Sequence, residues 1–216
     1  MTRAPRLLLL DHEDSFSANL GAALGALGSR VDVVRLTRGQ REIGEAFTPE
    51  ALVQKYEGLV LSPGPGHPRE HPATLALCSS LLEADCALPL LGVCLGLQLA
   101  AHAVGASVRP VCPLPVHGRR VPLGGRYALG NAFGQIVECE GHVTLHNSLG
   151  VGALDVAFSR HFRVLAQAEG VVALAVRETA PWLLCQFHPE SFGSTAGLPF
   201  VEAFVERCRS PNAPRL

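Results

Sequence analysis

The chain has 216 residues, of which 48% are hydrophobic and 17% are charged, and its formal net charge is −1. This composition excludes intrinsic disorder, because the chain has enough apolar residues to bury a core. The balanced charge argues against a nucleic-acid partner, since such partners are bound by basic surfaces. The length suits one larger domain, which we expect over residues 1–209, followed by a frayed tail over 210–216.

The apolar stretches of the chain are short. Stretches such as 7–10 and 87–91 fall well below the roughly 20 residues that a membrane-spanning helix needs. The N-terminus lacks the pattern of a signal peptide. The seven cysteines are odd in number and form no CxxC pair, which is typical of reduced thiols. We therefore predict a cytoplasmic protein with no membrane association.

Strands and helices alternate through the first half of the chain. Continuous apolar runs predict buried strands, and apolar stripes at helical spacing predict the helices between them. The predicted strands are 6–11, 31–36, 58–61 and 89–93; the predicted helices are 15–27 (capped by Ser15), 49–54, 72–83 and 95–104. Such alternation indicates a parallel sheet with helices on both faces.

The pattern changes after Gly105, where short β-branched or apolar runs predict antiparallel strands. These strands are expected at 107–111, 135–139, 143–145, 162–168, 171–176 and 182–187, with a turn at 169–170 and a final helix over 198–208. The fold class is therefore α/β with a mixed, mostly parallel sheet and helices on both faces.

Cys94 lies where a predicted buried strand ends and a helix begins, with Gly92 and Gly96 on either side. This is the cysteine version of the nucleophile elbow, in which a sharp turn exposes the nucleophile at the carboxyl edge of the sheet. The helix N-terminus would lower the thiol pKa and offer free N–H groups. The alternative is an ordinary buried cysteine at a strand–helix corner.

His188 and Glu190 stand two residues apart in an extended segment, since the proline that follows His188 disfavours helix. Residues at this spacing point to the same side of a strand. A carboxylate beside an imidazole can orient it and stabilise the imidazolium, which suits a nucleophile–base–acid triad with Cys94. Taken alone, the pair is weak evidence of a site and is more typical of a surface His and Glu at a strand end.

A Pro- and Gly-rich loop, 62–66, follows the third predicted strand. Glycines allow backbone N–H groups to approach an oxyanion, although the same string is common in plain connectors. The loop lacks the spacing of phosphate-binding motifs. The histidines 67, 71, 117, 142, 146 and 161 show no zinc-ligand spacing and are expected in loops or at the surface, so we predict no metal site.

Five motifs in order resemble the class I glutamine amidotransferases, and more narrowly the glutaminase subunits of anthranilate synthase and aminodeoxychorismate synthase. They are the opening stretch 11–20, the Pro-Gly-Pro-Gly loop, Gly-Val-Cys-Leu-Gly-Leu-Gln at 92–98, Val-His-Gly at 116–118 and Gln-Phe-His-Pro-Glu-Ser at 186–191. The resemblance implies a flavodoxin-like class I glutamine amidotransferase domain. The sequence departs from the family at 12–13, at Leu97, at 144–149 and over 122–141.

The resemblance also implies roles for single residues. Cys94 would be the nucleophile, His188 the acid and base, and Glu190 the residue that orients the imidazole. The glutamine would be bordered by Gly64, Pro65 and Gly66, with the N–H groups of Gly64 and Leu95 as oxyanion donors. Further substrate contacts would come from the Gln98 side chain and from main-chain groups of Ser148 and Leu149.

The resemblance implies L-glutamine as substrate, no cofactor, and a larger chorismate-binding synthase as the partner that receives ammonia. The motifs occupy nearly all of the sequence, which leaves no evident domain for an ammonia acceptor. The expected function is that of anthranilate synthase component II, or alternatively of the aminodeoxychorismate synthase glutaminase. A free-standing Cys hydrolase, a regulatory protein without activity and a flavodoxin-like electron carrier remain as other hypotheses.

Overall fold

The computed structural model describes residues 3–44, 47–111 and 116–210, with only the backbone described at 116 and 117. The helices are α1 (Ser17–Ala26), α2 (Pro49–Lys55), α3 (Pro72–Glu83), α4 (Leu95–Ala103), α5 (Val156–Ser159) and α6 (Leu198–Arg209), with a 3-10 turn at Pro68–Glu70. The first strands are β1 (Arg6–Asp11), β2 (Arg30–Arg35), β3 (Gly58–Leu61), β4 (Leu90–Val93) and β5 (Val108–Pro110). The later strands are β6 (Val116–Pro122), β7 (Gly125–Ala128), β8 (Ile136–Cys139), β9 (His142–Asn147), β10 (Leu149–Val151), β11 (Arg163–Ala168), β12 (Val171–Val176) and β13 (Trp182–Cys185).

Seven strands form the central sheet, in the order β11-β12-β13-β4-β3-β1-β2. The five from β13 to β2 are parallel, whereas β12 is antiparallel to β13 and β11 is antiparallel to β12. Strand β4 lies between β3 and β13, so the chain segments that follow these three strands emerge at one edge of the sheet. The predicted mixed, mostly parallel sheet is therefore confirmed.

Both faces of the sheet are covered, and β1 shows why. Leu7 and Leu9 pack into the cluster that contains α1 and α6, whereas Leu8 and Leu10 pack into the cluster formed with α2, α3 and α4. All four side chains are buried, as the alternating geometry of a strand between two helical layers requires. The continuous leucine run of the sequence is thus explained by a two-sided core.

The β11–β12 hairpin turns at the predicted position. Glu169 and Gly170 both have positive φ, 54° and 76°, which matches the tight turns that favour the twist of antiparallel strands. Three further two-stranded sheets, β5–β10, β6–β9 and β7–β8, lie beside the main sheet.

Several sequence predictions were wrong in detail. Ser15 does not cap α1; the helix starts at Ser17, and its N-cap is Phe16, which makes no side-chain cap hydrogen bond. The Asp14 carboxylate accepts a hydrogen bond from the Phe16 N–H at 2.8 Å in the turn before the helix. The strands β6, β7 and β10 were missed because each contains glycine, and β6 and β7 also contain arginine, which interrupts the apolar or β-branched runs that predict strands. Of the predicted tail, residues 211–216 lie outside the described residues. In the part of the chain that is described, no helix is long and apolar enough to cross a membrane.

Candidate active site

Cys94 occupies a strained turn between β4 and α4. Its backbone has φ 52° and ψ −101°, a combination that residues with a side chain seldom adopt. The Cys94 N–H donates to the Cys185 carbonyl at 2.8 Å, so the last residue of β13 holds the turn from the neighbouring strand. The strain is located at the one residue that the elbow motif presents at the edge of the sheet.

The two glycines of the motif are required by packing. A Cβ added to Gly96 would overlap the carbonyl oxygen of Leu61 at the end of β3. A Cβ added to Gly92 would lie 2.8 Å from the Leu184 side chain and 2.9 Å from the Gly96 backbone. The elbow can therefore fit between β3 and β13 only with glycine at both positions.

His188 and Glu190 follow β13 and form a buried pair. His188 Nδ1 lies 2.8 Å from Glu190 Oε1, and the side chains are 2% and 0% exposed. The backbone N–H of His188 donates to the Thr144 carbonyl of β9 at 3.0 Å, which fixes the segment. The structure thus brings together the imidazole and the carboxylate that the sequence placed on one side of an extended segment.

The pKa of His188 is strongly perturbed. Burial alone lowers it, but interactions with the Cys94 and Glu190 side chains outweigh burial and raise the pKa to about 10. Nδ1 is engaged by Glu190, and buried Nε2 makes no hydrogen bond of standard geometry within the described residues. Nε2 is therefore the ring nitrogen that the bond to Glu190 leaves available for another partner.

Burial disfavours the reactive thiolate form of the other described cysteines. It raises the pKa of Cys78 to about 12 and also raises the pKa of the remaining four, Cys86, Cys139, Cys185 and Cys208. Cys185 directly precedes the His188 segment and donates to the Gly92 carbonyl at 3.7 Å, inside the sheet. Cys94 is the only one of these described cysteines placed at an elbow beside an imidazole.

A cavity of about 640 Å³ opens beside Cys94. Its volume falls in the range of small-molecule sites. Predicted substrate residues share its wall; they are Gly64, Pro65, Gly66, Gln98, Ser148 and Leu149. Leu95, His188 and Glu190 do not line the cavity. Leu95 is buried and follows Cys94 in the chain, whereas His188 and its partner Glu190 lie beside Cys94 in the folded structure.

The Gly64 and Leu95 N–H groups, which the sequence predicts as oxyanion donors, lie in the loop after β3 and at the start of α4. Within the described residues, neither the Gly64 amide nor the Leu95 amide donates to a protein acceptor. Leu95 opens α4, whose first N–H groups point out of the helix and carry partial positive charge. The Leu95 side chain also packs against Gly64, since a Cβ added there would lie 2.5 Å from Leu95 Cδ2.

The structure limits which main-chain atoms of Ser148 and Leu149 are available to a ligand. The Ser148 carbonyl accepts from the Val111 N–H at 3.0 Å. The Leu149 carbonyl accepts from Gln98 Nε2 at 2.9 Å and from Asn147 Nδ2 at 3.0 Å. Because both carbonyl oxygens are already engaged, the N–H groups are the main-chain atoms that a ligand could use.

Two buried histidines, His12 and His71, contact the Pro-Gly-Pro-Gly loop. The buried His12 ring lies 3.1 Å from Ser62 Oγ and 3.0 Å from Thr74 Oγ1. Burial, with the nearby His71 charge, lowers the pKa of His12 to about 4, so the ring is neutral at pH 7. His71 is buried and its Nε2 lies 3.0 Å from the Pro65 carbonyl.

The expectation that the remaining histidines lie in loops or at the surface was wrong for His146, which is partly buried in β9 at the cavity wall. His67 and His71 lie in the loop segments on either side of the 3-10 turn, as predicted, although His71 is buried. The ring of His146 packs edge-on against His188 at 5.5 Å between centroids. His117 lies among residues whose side chains are not described. Within the described part, no three His, Cys, Asp or Glu side chains are grouped to hold a metal ion.

Sequence reasoning gave no role to Gln186, Asn147 or Phe16. Gln186 is fully buried and its Nε2 donates to Cys94 Sγ at 3.4 Å. It stands two residues before His188 in the same extended segment, so the period of a strand could have placed it on the same side. Asn147 and Phe16 both line the cavity, and Phe16 packs on His188 at 4.8 Å between ring centroids.

Comparisons with known proteins agree with this geometry. Residues 8–208 match the family model described as glutamine amidotransferase class-I. The chain is 32% identical over 203 residues to anthranilate synthase component 2 of Azospirillum brasilense, covering 94% of this chain and 96% of the relative. It is 35% identical over 205 residues to the pyocyanine-specific anthranilate synthase component 2 of Pseudomonas aeruginosa, covering 94% of each.

Two further matches differ in kind. Aminodeoxychorismate synthase of Streptomyces griseus is 37% identical over 197 residues, which are 89% of this chain but 24% of that protein. A solved structure from Thermoplasma acidophilum, provisionally assigned to GMP synthase, superposes with a TM-score of 0.73 at 21% identity and covers 97% of this chain and 96% of its own. That structure supports the fold, and the sequence matches decide the family: the chain belongs to the class I glutamine amidotransferases.

Proposed function

We propose that the chain is a glutaminase subunit that hydrolyses L-glutamine at Cys94 and delivers ammonia to a chorismate-using synthase. The observation that carries the proposal is the buried His188–Glu190 pair placed against the Cys94 elbow, beside a cavity of small-molecule size. The three side chains supply a nucleophile, a proton carrier and an orienting carboxylate.

In the first step, the Cys94 thiolate attacks the side-chain amide carbon of glutamine. The negative charge that develops on the amide oxygen would be stabilised by the N–H groups of Gly64 and Leu95, an effect typically worth about 3 kcal/mol for each donor. The His188 imidazolium then gives its proton to the departing nitrogen, which leaves as ammonia. The product is a γ-glutamyl thioester on Cys94.

In the second step, neutral His188 takes a proton from water, and the resulting hydroxide attacks the thioester carbonyl. The carbon–sulfur bond breaks, glutamate leaves, and the Cys94 thiolate and the His188 imidazolium are restored. Glu190 holds Nδ1 throughout, so that Nε2 faces the reacting atoms in both steps. The chain's own groups are enough for each proton transfer, and the proposal includes no cofactor.

The proposed partner is a larger synthase chain. Two relatives that the chain covers almost fully are named anthranilate synthase component 2. In the longer anthranilate synthase of Azospirillum brasilense, the match covers 24% of the protein, so the remainder is a different part of the synthase. Delivery within a complex also has a chemical reason, since ammonia released into water at pH 7 becomes protonated and loses its nucleophilicity.

One exposed aromatic residue supports a partner at this face. Phe192 is fully exposed and lies two residues after Glu190, where a partner could cover it together with Cys94, Ser148 and His188. Aromatic side chains are common anchors of protein interfaces. The proposed compartment is the cytoplasm, where a reducing environment keeps a nucleophilic thiol free.

We favour anthranilate synthase component II, because the matching relatives of that name are separate chains of similar length. The alternative is the glutaminase of aminodeoxychorismate synthase, favoured by the 37% identity to the Streptomyces griseus protein. Mixing the chain with each purified synthase, chorismate and glutamine distinguishes the two. We expect glutamine-dependent product with the anthranilate synthase partner and none with the aminodeoxychorismate synthase partner; the reverse result would favour the alternative.

The decisive experiment for the chemistry is Cys94→Ser, compared with Cys139→Ser as a matched control on β8. We expect the first variant to fold, bind the synthase and lose glutamine-dependent product formation, while ammonium-dependent formation by the partner continues. The control should retain both activities. Glutamine-dependent product from the Cys94→Ser complex would overturn the proposed function.

A further inference from the structure

We propose that Gln186 is a positioning residue that stabilises the Cys94 thiolate through a side-chain N–H···S hydrogen bond and couples the nucleophile to the glutamine pocket through Gln98. The inference rests on the proposed function, because it assigns a further role in the same site. It adds a third contact to the nucleophile besides the helix N-terminus and the imidazole.

The orientation of both amides follows from one carbonyl group. Gln98 lies 2.9 Å from the Leu149 carbonyl oxygen, which can only accept, so the Gln98 atom there must be Nε2. The same Nε2 lies 3.2 Å from Gln186, so the Gln186 atom facing it must be the acceptor Oε1. Gln186 Nε2 is then directed at Cys94 Sγ, 3.4 Å away.

This arrangement favours the charged form of Cys94. A thiol sulfur is a weak acceptor, whereas a thiolate accepts an N–H strongly, so the donor lowers the free energy of the thiolate relative to the thiol. Gln186 is 0% exposed, and no bulk water competes for the bond. A second neighbour of Sγ, the His146 carbonyl oxygen 4.0 Å away, can only accept and so favours the protonated thiol.

The chain Leu149–Gln98–Gln186–Cys94 connects the substrate wall to the nucleophile. A ligand that draws the Leu149 backbone toward itself would move the acceptor that orients Gln98, and through it the donor at Cys94. Gln186 itself cannot slide along its strand, because its backbone N–H donates to the Ala173 carbonyl of β12 at 2.9 Å.

The test measures the pH dependence of Cys94 alkylation by iodoacetamide in the full chain, with a Cys94→Ala chain to subtract other thiols. The variant is Gln186→Leu, and the matched control is Gln167→Leu at an exposed position of β11. The charged or titratable groups around Cys94 are unchanged in both variants: His188 and Glu190 in the following loop, Cys185 on β13 and His146 on β9.

We expect the alkylation profile of Cys94 to move to higher pH in Gln186→Leu, with about a tenfold lower rate at neutral pH that recovers at high pH. Gln167→Leu should match the wild type. A folded Gln186→Leu variant with the wild-type pH profile would overturn the role of Gln186 and leave the proposed function intact. A wild-type Cys94 no more reactive than Cys139 would overturn both.

A measurement on the wild-type chain covers the case in which Gln186→Leu does not fold. The side-chain amide protons of Gln186, followed by NMR, should shift over the same pH range in which alkylation of Cys94 accelerates. The shift should be absent in Cys94→Ala. Gln186 amide protons that stay fixed across the range would contradict the hydrogen bond.

Discussion

Glu190→Gln tests how far the carboxylate supports the imidazole. Glu190 Oε1 lies 2.8 Å from His188 Nδ1, and both side chains are excluded from solvent. The substitution keeps the size of the side chain and removes its charge. We expect a folded chain in which glutamine hydrolysis falls and the His188 pKa moves down toward its ordinary value.

The size of the effect follows from the perturbation of His188. Its pKa is raised from 6.5 to about 10 although burial acts in the opposite direction. At about 1.4 kcal/mol for each pKa unit, this corresponds to roughly 5 kcal/mol in favour of the imidazolium. Cys94 and Glu190 both contribute, and an equal division assigns about 2–3 kcal/mol to Glu190, or roughly a 30- to 150-fold change in imidazolium stability.

The assay is glutamate release by the complex at neutral pH, combined with an NMR titration of the His188 ring. We expect at least about a 30-fold loss of rate, smaller than the loss in His188→Ala, because proton transfer weakens but is not removed. Glu138→Gln is the matched control, since Glu138 forms only an exposed ion pair with Arg126. A Glu190→Gln variant with the wild-type rate and an unmoved His188 pKa would refute the orienting role.

Four further predictions concern the same site and its surroundings. His188→Ala should reduce glutaminase turnover nearly as much as Cys94→Ser, which parallel initial-rate assays with one synthase preparation would establish; more than a tenth of the wild-type rate would exclude it as the proton carrier. The raised pKa of His188 stabilises the fold fully below about pH 6.5, and this contribution is lost as the pH rises through about 10. The melting temperature should therefore decline over that pH interval more in the wild type than in His188→Ala, and an equal decline in both would count against the buried His188–Glu190 pair. Gly96→Ala should cost about 2–3 kcal/mol of unfolding free energy, measured by urea denaturation, because its methyl group meets the Leu61 carbonyl; wild-type stability would show that the elbow can relax. Phe192→Ala should weaken binding to the synthase by about tenfold or more without changing the fold, as calorimetry would measure, and unchanged affinity would remove Phe192 from the interface.

The central sheet could be predicted because its strands are buried on both faces. The run from Leu7 to Leu10 does not alternate with polar residues, so both faces of this strand must be buried, as they are between two helical layers. The peripheral strands were harder to predict, since β6 carries two arginines and β7 is mostly exposed, and tertiary pairing rather than composition makes them strands. The cap of α1 was misplaced because the helix begins two residues later than Ser15: its N-cap is Phe16, which makes no side-chain cap hydrogen bond, and the Asp14 carboxylate closes a turn just before the helix.

The site shows a similar division. The elbow and the His188–Glu190 spacing could be identified from sequence, because short-range geometry fixes them. The role of Gln186 and the support of the loop by His12 and His71 depend on contacts that tertiary folding creates, several of them between residues tens of positions apart. No local pattern reports those contacts, and only the folded chain brings them together.

The most direct test of the proposed chemistry is to identify the thiol that reacts with a glutamine-site affinity label. The chain is treated with a glutamine analogue that alkylates the nucleophile, digested and examined by mass spectrometry, with excess glutamine as a protecting ligand. We predict a single adduct on Cys94 that glutamine suppresses, since burial leaves thiols such as Cys78 and Cys185 protonated. An adduct formed mainly on Cys78 or Cys185 would contradict the assignment of Cys94 as the nucleophile.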